Sequence, residues 1–223
     1  MKIVISLGGS IFTTDHGVDL DYIRGFSEAL LSLTSEHEFY IVTGGGRTAR
    51  NYIDAGRGLG ADEKFLDTMG IAATRLNAMI LRAALGNTNP NIPARVEEAK
   101  TTGREIFVMG GTVSGHSTDA VSAMLAEQIG ADLLINATNV DGVYERDPKK
   151  DPGAKRYDRL TAEELIKIVK TQGYRAGTSS VIDPKAAEII RKNRLKTAIV
   201  DGRNVDNIIS AIHGKIQGTT IET

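Results

Sequence analysis

Short apolar runs recur along this 223-residue chain, and each is followed by a glycine or a small polar residue. The runs are rich in β-branched residues and lack polar alternation. That pattern is typical of strands buried on both faces of a parallel sheet. We therefore predict strands at 3–7, 39–42, 106–109, 133–135 and 197–200.

Between these runs, hydrophobic residues recur at the spacing of amphipathic helices. We predict helices over 19–35, 118–129 and 161–169, and the first has an apolar stripe of Leu20, Ile23, Phe26, Leu30 and Leu33. Thr161, followed three residues later by Glu164, forms a capping box at a helix start. Asp183 before Pro184 predicts an N-cap and a first helical residue.

Strands that alternate with helices predict right-handed crossovers. The expected fold class is therefore α/β, a three-layer αβα sandwich with a mainly parallel central sheet. No repeat or linker divides the chain, so we expect one domain over 1–223, with the polar stretch 141–158 as a long surface loop. In such sheets, ligands bind outside the carboxyl ends of the strands.

Composition narrows the class of protein. Hydrophobic residues make up 41% and charged residues 25% of the chain, which excludes a disordered or collagen-like protein. With 27 Lys and Arg against 28 Asp and Glu, the basic excess expected for binding long nucleic acid is missing. Since there is no cysteine, disulfides and thiol chemistry are excluded, and the four histidines lack metal-ligand spacing.

The apolar stretches are short. The one at the start is shorter than a signal peptide requires, and none approaches the ~20 residues of a membrane span. We therefore expect a cytoplasmic protein without a membrane partner.

Glycine clusters follow three of the predicted strands, at 8–9, 44–46 and 110–111, the last continuing to Gly115. Glycine lets the backbone approach a ligand closely and turn its N–H groups toward an anion, and a following helix adds the positive end of its dipole. One such turn has an equally good structural explanation. Three at corresponding strand ends suggest a pair of polyanionic ligands, such as a nucleoside triphosphate and a phosphorylated acceptor.

Two known phosphate-binding fingerprints match only in part. The segment 44–49 has the glycine spacing of a dinucleotide-binding turn, but 64–85 is predicted as a long helix, with no strand to carry the ribose-binding acid. The segment 110–117 has the frame of a P-loop, but His116 replaces the required lysine. A dehydrogenase and a P-loop ATPase are both disfavoured.

Seven segments, in order along almost the whole chain, resemble the amino acid kinase superfamily, most closely its uridylate kinase branch and the short archaeal members. They are ISLGGS, VTGGGRTAR, DTMGIAATRLNAM, VMGGTVSGHSTDA, NATNVDGVYERDPKKDP, SSVIDPKAAEII and GTTIE. The resemblance implies a three-layer αβα fold, transfer of phosphate from ATP to UMP with Mg²⁺, and a homo-oligomer, a hexamer built from dimers.

The resemblance also implies binding residues. Those expected at ATP are Gly9, Ser10, Gly46, Arg50, Thr138, Asn139, Tyr144 and Asp147. Those expected at UMP are Gly45, Asp67, Gly115, His116, Ser117, Thr118, Asp119 and Ala120, with Asp67 on the ribose hydroxyls.

One position departs from the superfamily. Many members have a lysine where this chain has Ser6, and that lysine stabilises the transferring phosphoryl group. The catalytic cation is therefore left open between Arg50, Lys149, Lys150, Lys185 and the metal ion itself. Two other functions also stay open: a kinase of the same fold acting on isopentenyl phosphate or carbamate, and a nucleotide sensor without catalysis.

Overall fold

A computed structural model describes residues 1–101, 105–146, 148, 151–172 and 181–222. The strands of these residues are β1 (Lys2–Leu7), β2 (Thr13–Thr14), β3 (Gly17–Val18), β4 (Glu38–Thr43), β5 (Ile106–Met109), β6 (Leu133–Thr138), β7 (Val143–Tyr144), β8 (Arg156–Tyr157), β9 (Arg159–Thr161), β10 (Thr197–Asp201) and β11 (Gly218–Glu222). The helices are α1 (Gly9–Phe12), α2 (Leu20–Leu31), α3 (Gly46–Gly58), α4 (Glu63–Leu85), α5 (Thr118–Ile129), α6 (Ala162–Gln172), α7 (Pro184–Asn193) and α8 (Val205–Ile212), with a 3₁₀ turn at Val96–Thr101.

Seven strands form the central sheet, in the order β5-β4-β1-β6-β10-β11-β9. The first five are parallel, β11 runs antiparallel to β10, and β9 runs parallel to β11. The predicted fold class, a mainly parallel sheet between helices, is confirmed.

Two apolar cores lie on opposite faces of this sheet. Alternate residues of β1 point to different cores, with Ile3 and Ile5 in one and Val4 in the other. The first core is closed by apolar residues of α2, α4 and α8, and the second by those of α5, α6 and α7. Burial on both faces explains why the central strands show unbroken apolar runs.

The predicted helix starts have the expected hydrogen bonds. The Thr161 N–H donates to the Glu164 carboxylate at 2.8 Å, and the Glu164 N–H donates to Thr161 Oγ1 at 3.2 Å. The Asp183 carboxylate accepts the N–H groups of Lys185 and Ala186 at 2.6 and 3.1 Å. Both caps were predictable because they depend only on neighbouring residues.

The exposed edge of the sheet at β5 is covered by a buried side chain. Asn89 Oδ1 accepts the Val108 N–H at 2.7 Å, and Asn89 Nδ2 donates to the Val108 carbonyl at 2.9 Å and the Asn91 carbonyl at 2.6 Å. Asn89 thus replaces a neighbouring strand at one position of the edge.

Two sequence expectations were wrong in detail. The stretch 141–158 is not one open loop, because β7 and β8 pair within it and the Val143 N–H donates to Thr219 Oγ1 at 2.8 Å. Two-residue strands are too short to produce a visible period. Leu20 was expected in the apolar stripe of α2 but is 55% exposed, since it lies in the first turn, before the buried part of the helix begins at Ile23.

In the part of the chain that the structure describes, every helix is too short or too polar to cross a bilayer.

Candidate active site

A cleft of about 500 Å³ lies at the carboxyl ends of β1, β4, β5 and β6. Residues of all three predicted glycine clusters line it, together with the ends of α3, α4 and α5. Four strand ends therefore open into one cavity, where the topology of an α/β sheet predicts a ligand.

The first two glycine turns touch each other through their main chains. A Cβ atom on Gly44 would lie 2.6 Å from Gly9 N, and one on Gly9 would overlap Gly44 O and Gly46 N. Only glycine allows this approach at Gly9 and Gly44. The backbones of two separate strand-to-helix turns thus form one continuous wall of the cleft.

The second turn has the backbone conformation of an anion-binding nest. Gly45 is in the right-handed helical region, with φ −79° and ψ −31°, and Gly46 is in the left-handed region, with φ 56°. Successive residues of opposite hand direct neighbouring N–H groups into one concavity. Both glycines line the cleft at the N-terminus of α3, so the helix dipole also favours negative charge here.

Side chains of α4 form hydrogen bonds with the third turn. The Gly111 N–H donates to Thr74 Oγ1 at 2.7 Å. The Asp67 carboxylate accepts a hydrogen bond from Ser114 Oγ at 3.1 Å and from the Gly115 N–H at 3.2 Å. Asp67 therefore faces the cleft beside this turn, with carboxylate oxygens that can accept further hydroxyl groups.

Two carboxylates lie deep in the cleft on the side of β1 and β6. Burial raises the pKa of Asp119 to about 6, and the charge of Asp183 acts in the same direction. A hydrogen bond from Ser6 Oγ at 3.0 Å partly offsets this effect. Asp183 accepts a short hydrogen bond from the Ser117 hydroxyl. No cationic side chain among the described residues forms an ion pair with Asp119.

A histidine and a lysine meet at the edge of the cleft. Lys185 Nζ lies 2.5 Å from His116 Nε2, and His116 lines the cleft. Burial lowers the pKa of His116, and the charge of Lys185 lowers it further, so the imidazole is neutral and Nε2 accepts the hydrogen bond. The pair holds a positive charge beside the third turn.

The family model for the amino acid kinase family matches residues 1–201. The chain belongs to the amino acid kinase family. It is similar to the uridylate kinase of Methanocaldococcus jannaschii, with 46% identity over all of both chains. It is also similar to the uridylate kinase of Archaeoglobus fulgidus, with 45% identity over 99% of this chain and 100% of that protein. The crystal structure of the A. fulgidus uridylate kinase has a TM-score of 0.88 to this chain, at 44% identity, covering 99% of this chain and 100% of that one.

Most of the residues predicted to bind nucleotides line this one cleft. They are Gly9, Ser10, Gly45, Gly46, Arg50, Asp67, Gly115, His116, Ser117, Thr118, Asp119 and Thr138. Their contacts with particular ligands stay predictions.

Several predicted residues lie elsewhere. Ala120 is fully buried behind the cleft. Asn139 and Tyr144 do not line the cavity, and the Tyr144 hydroxyl donates to Asp141 at 2.8 Å in the small β7–β8 sheet. Lys185 reaches the cleft only through His116. Asp147, Lys149 and Lys150 lie outside the described residues.

The sequence reasoning missed Asp183 as a residue of the cleft, because its N-cap position already accounted for an aspartate there. It also assigned no role to the polar face of α4, where Thr74, Arg75 and Asn77 contact the glycine turns. The signal was present in the sequence, since α4 has polar residues at positions that face the sheet, where a packed helix is expected to be apolar.

Replacing Asp119 should change how stability depends on pH. Since folding raises the pKa of this carboxyl, the folded chain holds the proton more tightly, and stability falls as the pH rises from about 4 through 6. We expect Asp119→Asn to raise the unfolding temperature relative to the parent above about pH 7, with less gain near pH 4. Thermal scans at both pH values measure this difference.

The matched control is Asp54→Asn, because Asp54 is an exposed helical aspartate paired with Arg57. It should show no such gain at neutral pH. If Asp119→Asn shifted the unfolding temperature equally at both pH values, the burial of a charged carboxylate in the cleft would be contradicted.

Proposed function

We propose that this chain transfers the γ-phosphoryl group of ATP to UMP, giving ADP and UDP. An oxygen of the UMP phosphate attacks the γ-phosphorus, and the bond from that phosphorus to the β,γ-bridging oxygen breaks as ADP leaves. The observation that carries the proposal is the convergence of three glycine turns and Asp67 on one cleft. The full-length similarity to archaeal uridylate kinases supports UMP as the acceptor.

The chemistry of the cleft suits phosphoryl transfer. This reaction needs little covalent participation by the protein, and its rate comes mainly from positioning and charge stabilisation. Two anions must be held together against their repulsion, and fixed N–H dipoles meet that requirement without reorganising. The Gly45–Gly46 nest and the adjoining Gly9 turn supply such dipoles.

For UMP, we assign the phosphate to the Gly45 side of the nest and the ribose hydroxyls to Asp67. The remainder of the UMP site is assigned to the third turn and the start of α5, residues 115–119. The hydrogen bonds from Ser114 and Gly115 hold the Asp67 carboxylate beside that turn and support this assignment.

For ATP, we assign the phosphates to Gly9, Ser10, Gly46 and Arg50, which line the cleft around the first two turns. Thr138, at the end of β6, lies on the side proposed for adenosine. Asn139, Tyr144 and Asp147 keep their proposed adenosine-side role on the family resemblance alone.

The residues of the cleft fit a Mg²⁺ ion. Mg²⁺ takes oxygen ligands and commonly uses one or two carboxylates plus the substrate phosphates. Asp119 and Asp183 supply two carboxylates to the cleft, and they would hold the ion. When bound, Mg²⁺ neutralises charge on the phosphates during transfer. Binding a cation would also favour the ionised form of Asp119, which burial disfavours.

The positive charge that replaces the lysine absent at Ser6 is assigned to the metal ion, Arg50 and Lys185. Arg50 lines the cleft, and Lys185 is held at its edge by His116. Lys149, within the predicted adenosine-side loop, stays a candidate on sequence grounds.

We propose that residues 1–223 act as one domain, in the cytoplasm, without a membrane or a long nucleic acid as partner. The supporting observations are the single seven-stranded sheet, which includes strands from both ends of the chain, and the balanced charge.

We also propose a homo-oligomer, a hexamer built from dimers. Phe65, Leu76 and Met79 of α4 are each at least half exposed and lie on one stripe of the helix, and Tyr52 of the adjoining α3 is 60% exposed. An apolar stripe of this kind favours burial against a second copy.

The activity test is an assay of the purified chain with ATP and Mg²⁺ against a panel of phosphorylated acceptors. We expect ADP release to depend on UMP, with much slower turnover of CMP, AMP, isopentenyl phosphate and carbamate. Nucleotide binding without ADP release from any acceptor would instead indicate a sensor, and preferred turnover of isopentenyl phosphate or carbamate would overturn the choice of UMP.

Asp67→Asn should weaken UMP specifically. An amide oxygen accepts hydroxyl hydrogen bonds less strongly than a carboxylate, so KM for UMP should rise by about ten- to a hundredfold, with KM for ATP little changed. Steady-state kinetics with each substrate varied in turn measure the two KM values separately. Asp54→Asn on α3 is the control, and an unchanged KM for UMP in Asp67→Asn would count against the ribose assignment.

The double variant Leu76→Glu with Met79→Glu should lower the particle mass, because it places two charges in the proposed interface. Light scattering after size-exclusion chromatography measures the mass of the parent and the variant. Leu20→Glu, at an equally exposed leucine on α2, should leave the α4-mediated dimer intact. A parent protein that is already monomeric would refute this interface.

A further inference from the structure

Asn77 of α4 contacts the second glycine turn from inside the protein. Its side chain is only 2% exposed and does not line the cleft. Asn77 Nδ2 donates to the Gly44 carbonyl at 2.7 Å and to the Gly45 carbonyl at 3.1 Å. The amide nitrogen thus donates to two consecutive carbonyl groups of the turn.

These two hydrogen bonds fix the direction of two peptide N–H groups. In a planar trans peptide, the carbonyl of one residue and the N–H of the next point in opposite directions. The carbonyls of Gly44 and Gly45 point to Asn77 in the interior, so the N–H groups of Gly45 and Gly46 point away from it. Gly45 and Gly46 line the cleft, and their conformations form the nest.

A turn of three consecutive glycines needs such an anchor. Glycine populates left- and right-handed conformations about equally, so the Gly44–Gly45 peptide could reverse at little conformational cost. The Gly45–Gly46 peptide has a second restraint, because the Gly45 carbonyl also accepts the Ala49 N–H of α3 at 3.0 Å. A reversed peptide would direct a carbonyl oxygen, rather than an N–H, at a bound anion. Asn77 disfavours that reversal because it would leave a buried amide without an acceptor.

α4 also donates side-chain hydrogen bonds to two carbonyl groups of the third turn. Arg75 Nε donates to the Gly111 carbonyl at 3.0 Å, and Arg75 Nη2 donates to the Thr112 carbonyl at 3.0 Å. Side chains of α4 therefore hold carbonyls of two glycine turns on the side facing the helix. This recurrence indicates a shared function of the polar face of α4, rather than an isolated contact.

We propose that Asn77 is a positioning residue that fixes the Gly44–Gly45 and Gly45–Gly46 peptides with their N–H groups toward the nucleotide phosphate. Asn77 does not touch the ligand and acts through the backbone of the turn. The inference deepens the proposed function and rests on it, since that function assigns the UMP phosphate to Gly45 and the ATP phosphates to Gly46.

The decisive experiment compares two ligands that differ only in the phosphate. Asn77→Leu keeps the same branched arrangement of heavy atoms but removes the donor. We expect its Kd for UMP, measured by titration calorimetry, to rise by at least about tenfold, while its Kd for uridine changes little. A general loss of structure would weaken both ligands together, so the ratio of the two Kd values isolates the orientation of the N–H groups.

Asn89→Leu is the matched control. Asn89 is also a 2%-exposed asparagine whose amide donates to two backbone carbonyls, but it lies at the β5 edge, away from the cleft. We expect it to lower the unfolding temperature and leave the UMP-to-uridine ratio of Kd values unchanged. If it changed that ratio as much as Asn77→Leu, the role of Asn77 would be overturned.

A second variant, Asn77→Ala, removes the amide without placing an apolar side chain against the two carbonyls, and it serves where Asn77→Leu does not fold. It should show the same selective loss of UMP affinity, and equal affinities to the parent would overturn the proposal. The behaviour of the parent protein distinguishes a failure of the proposed function from a failure of the role of Asn77. A parent that neither binds nor phosphorylates UMP overturns the proposed function and this role with it, whereas an active parent with an unselective Asn77 variant overturns only the role of Asn77.

Discussion

The proposed function sets one electrostatic requirement, which is to hold two multiply charged anions close together in one cleft of a nearly neutral protein. The chain has a formal net charge of −1 and does not meet this requirement with a field of cations. In the proposed function, main-chain N–H groups at the ends of parallel strands hold the anions, and helix dipoles add to them. The contact between Gly9 and Gly44 joins two of these turns into one surface, which no residue with a side chain would permit.

A cleft of this kind lowers the stability of the folded chain at Asp119. A carboxylate in the cleft, hydrogen-bonded to Ser6 and close to Asp183, has its pKa raised to about 6 by burial. Such a group is unfavourable for folding at neutral pH and becomes favourable when a cation binds beside it. Functional sites commonly contain local arrangements of this kind that stability alone would not select.

Much of the framework could be predicted because it depends on local patterns. The central strands were visible as unbroken apolar runs, and the starts of α6 and α7 as caps between neighbouring residues. The glycine clusters could be placed at one edge because parallel strands of a sheet share a carboxyl end. The weak strands β7 and β8, and the return of β11 antiparallel to β10, have no periodicity long enough to detect.

The parts that could not be predicted depend on pairs far apart in the chain. Ser6 and Asp119 are 113 residues apart, and Asn77 and Gly44 are 33 apart, so neither contact has a spacing that sequence alone can recognise. Asp183 was hidden for a different reason, because one carboxylate both caps α7 and lines the cleft. When a side chain has two functions, sequence reasoning finds the local one, such as a helix cap, and misses the one that depends on the fold.

The most direct test is a crystal structure of the chain with UMP, Mg²⁺ and a non-hydrolysable ATP analogue. The account predicts phosphate oxygens of the two nucleotides within about 3 Å of the backbone nitrogens of Gly45, Gly46 and the adjoining Gly9 turn, with the two phosphate chains meeting between them. Phosphates held only by side-chain cations, with these backbone nitrogens facing solvent or a reversed carbonyl, would contradict it.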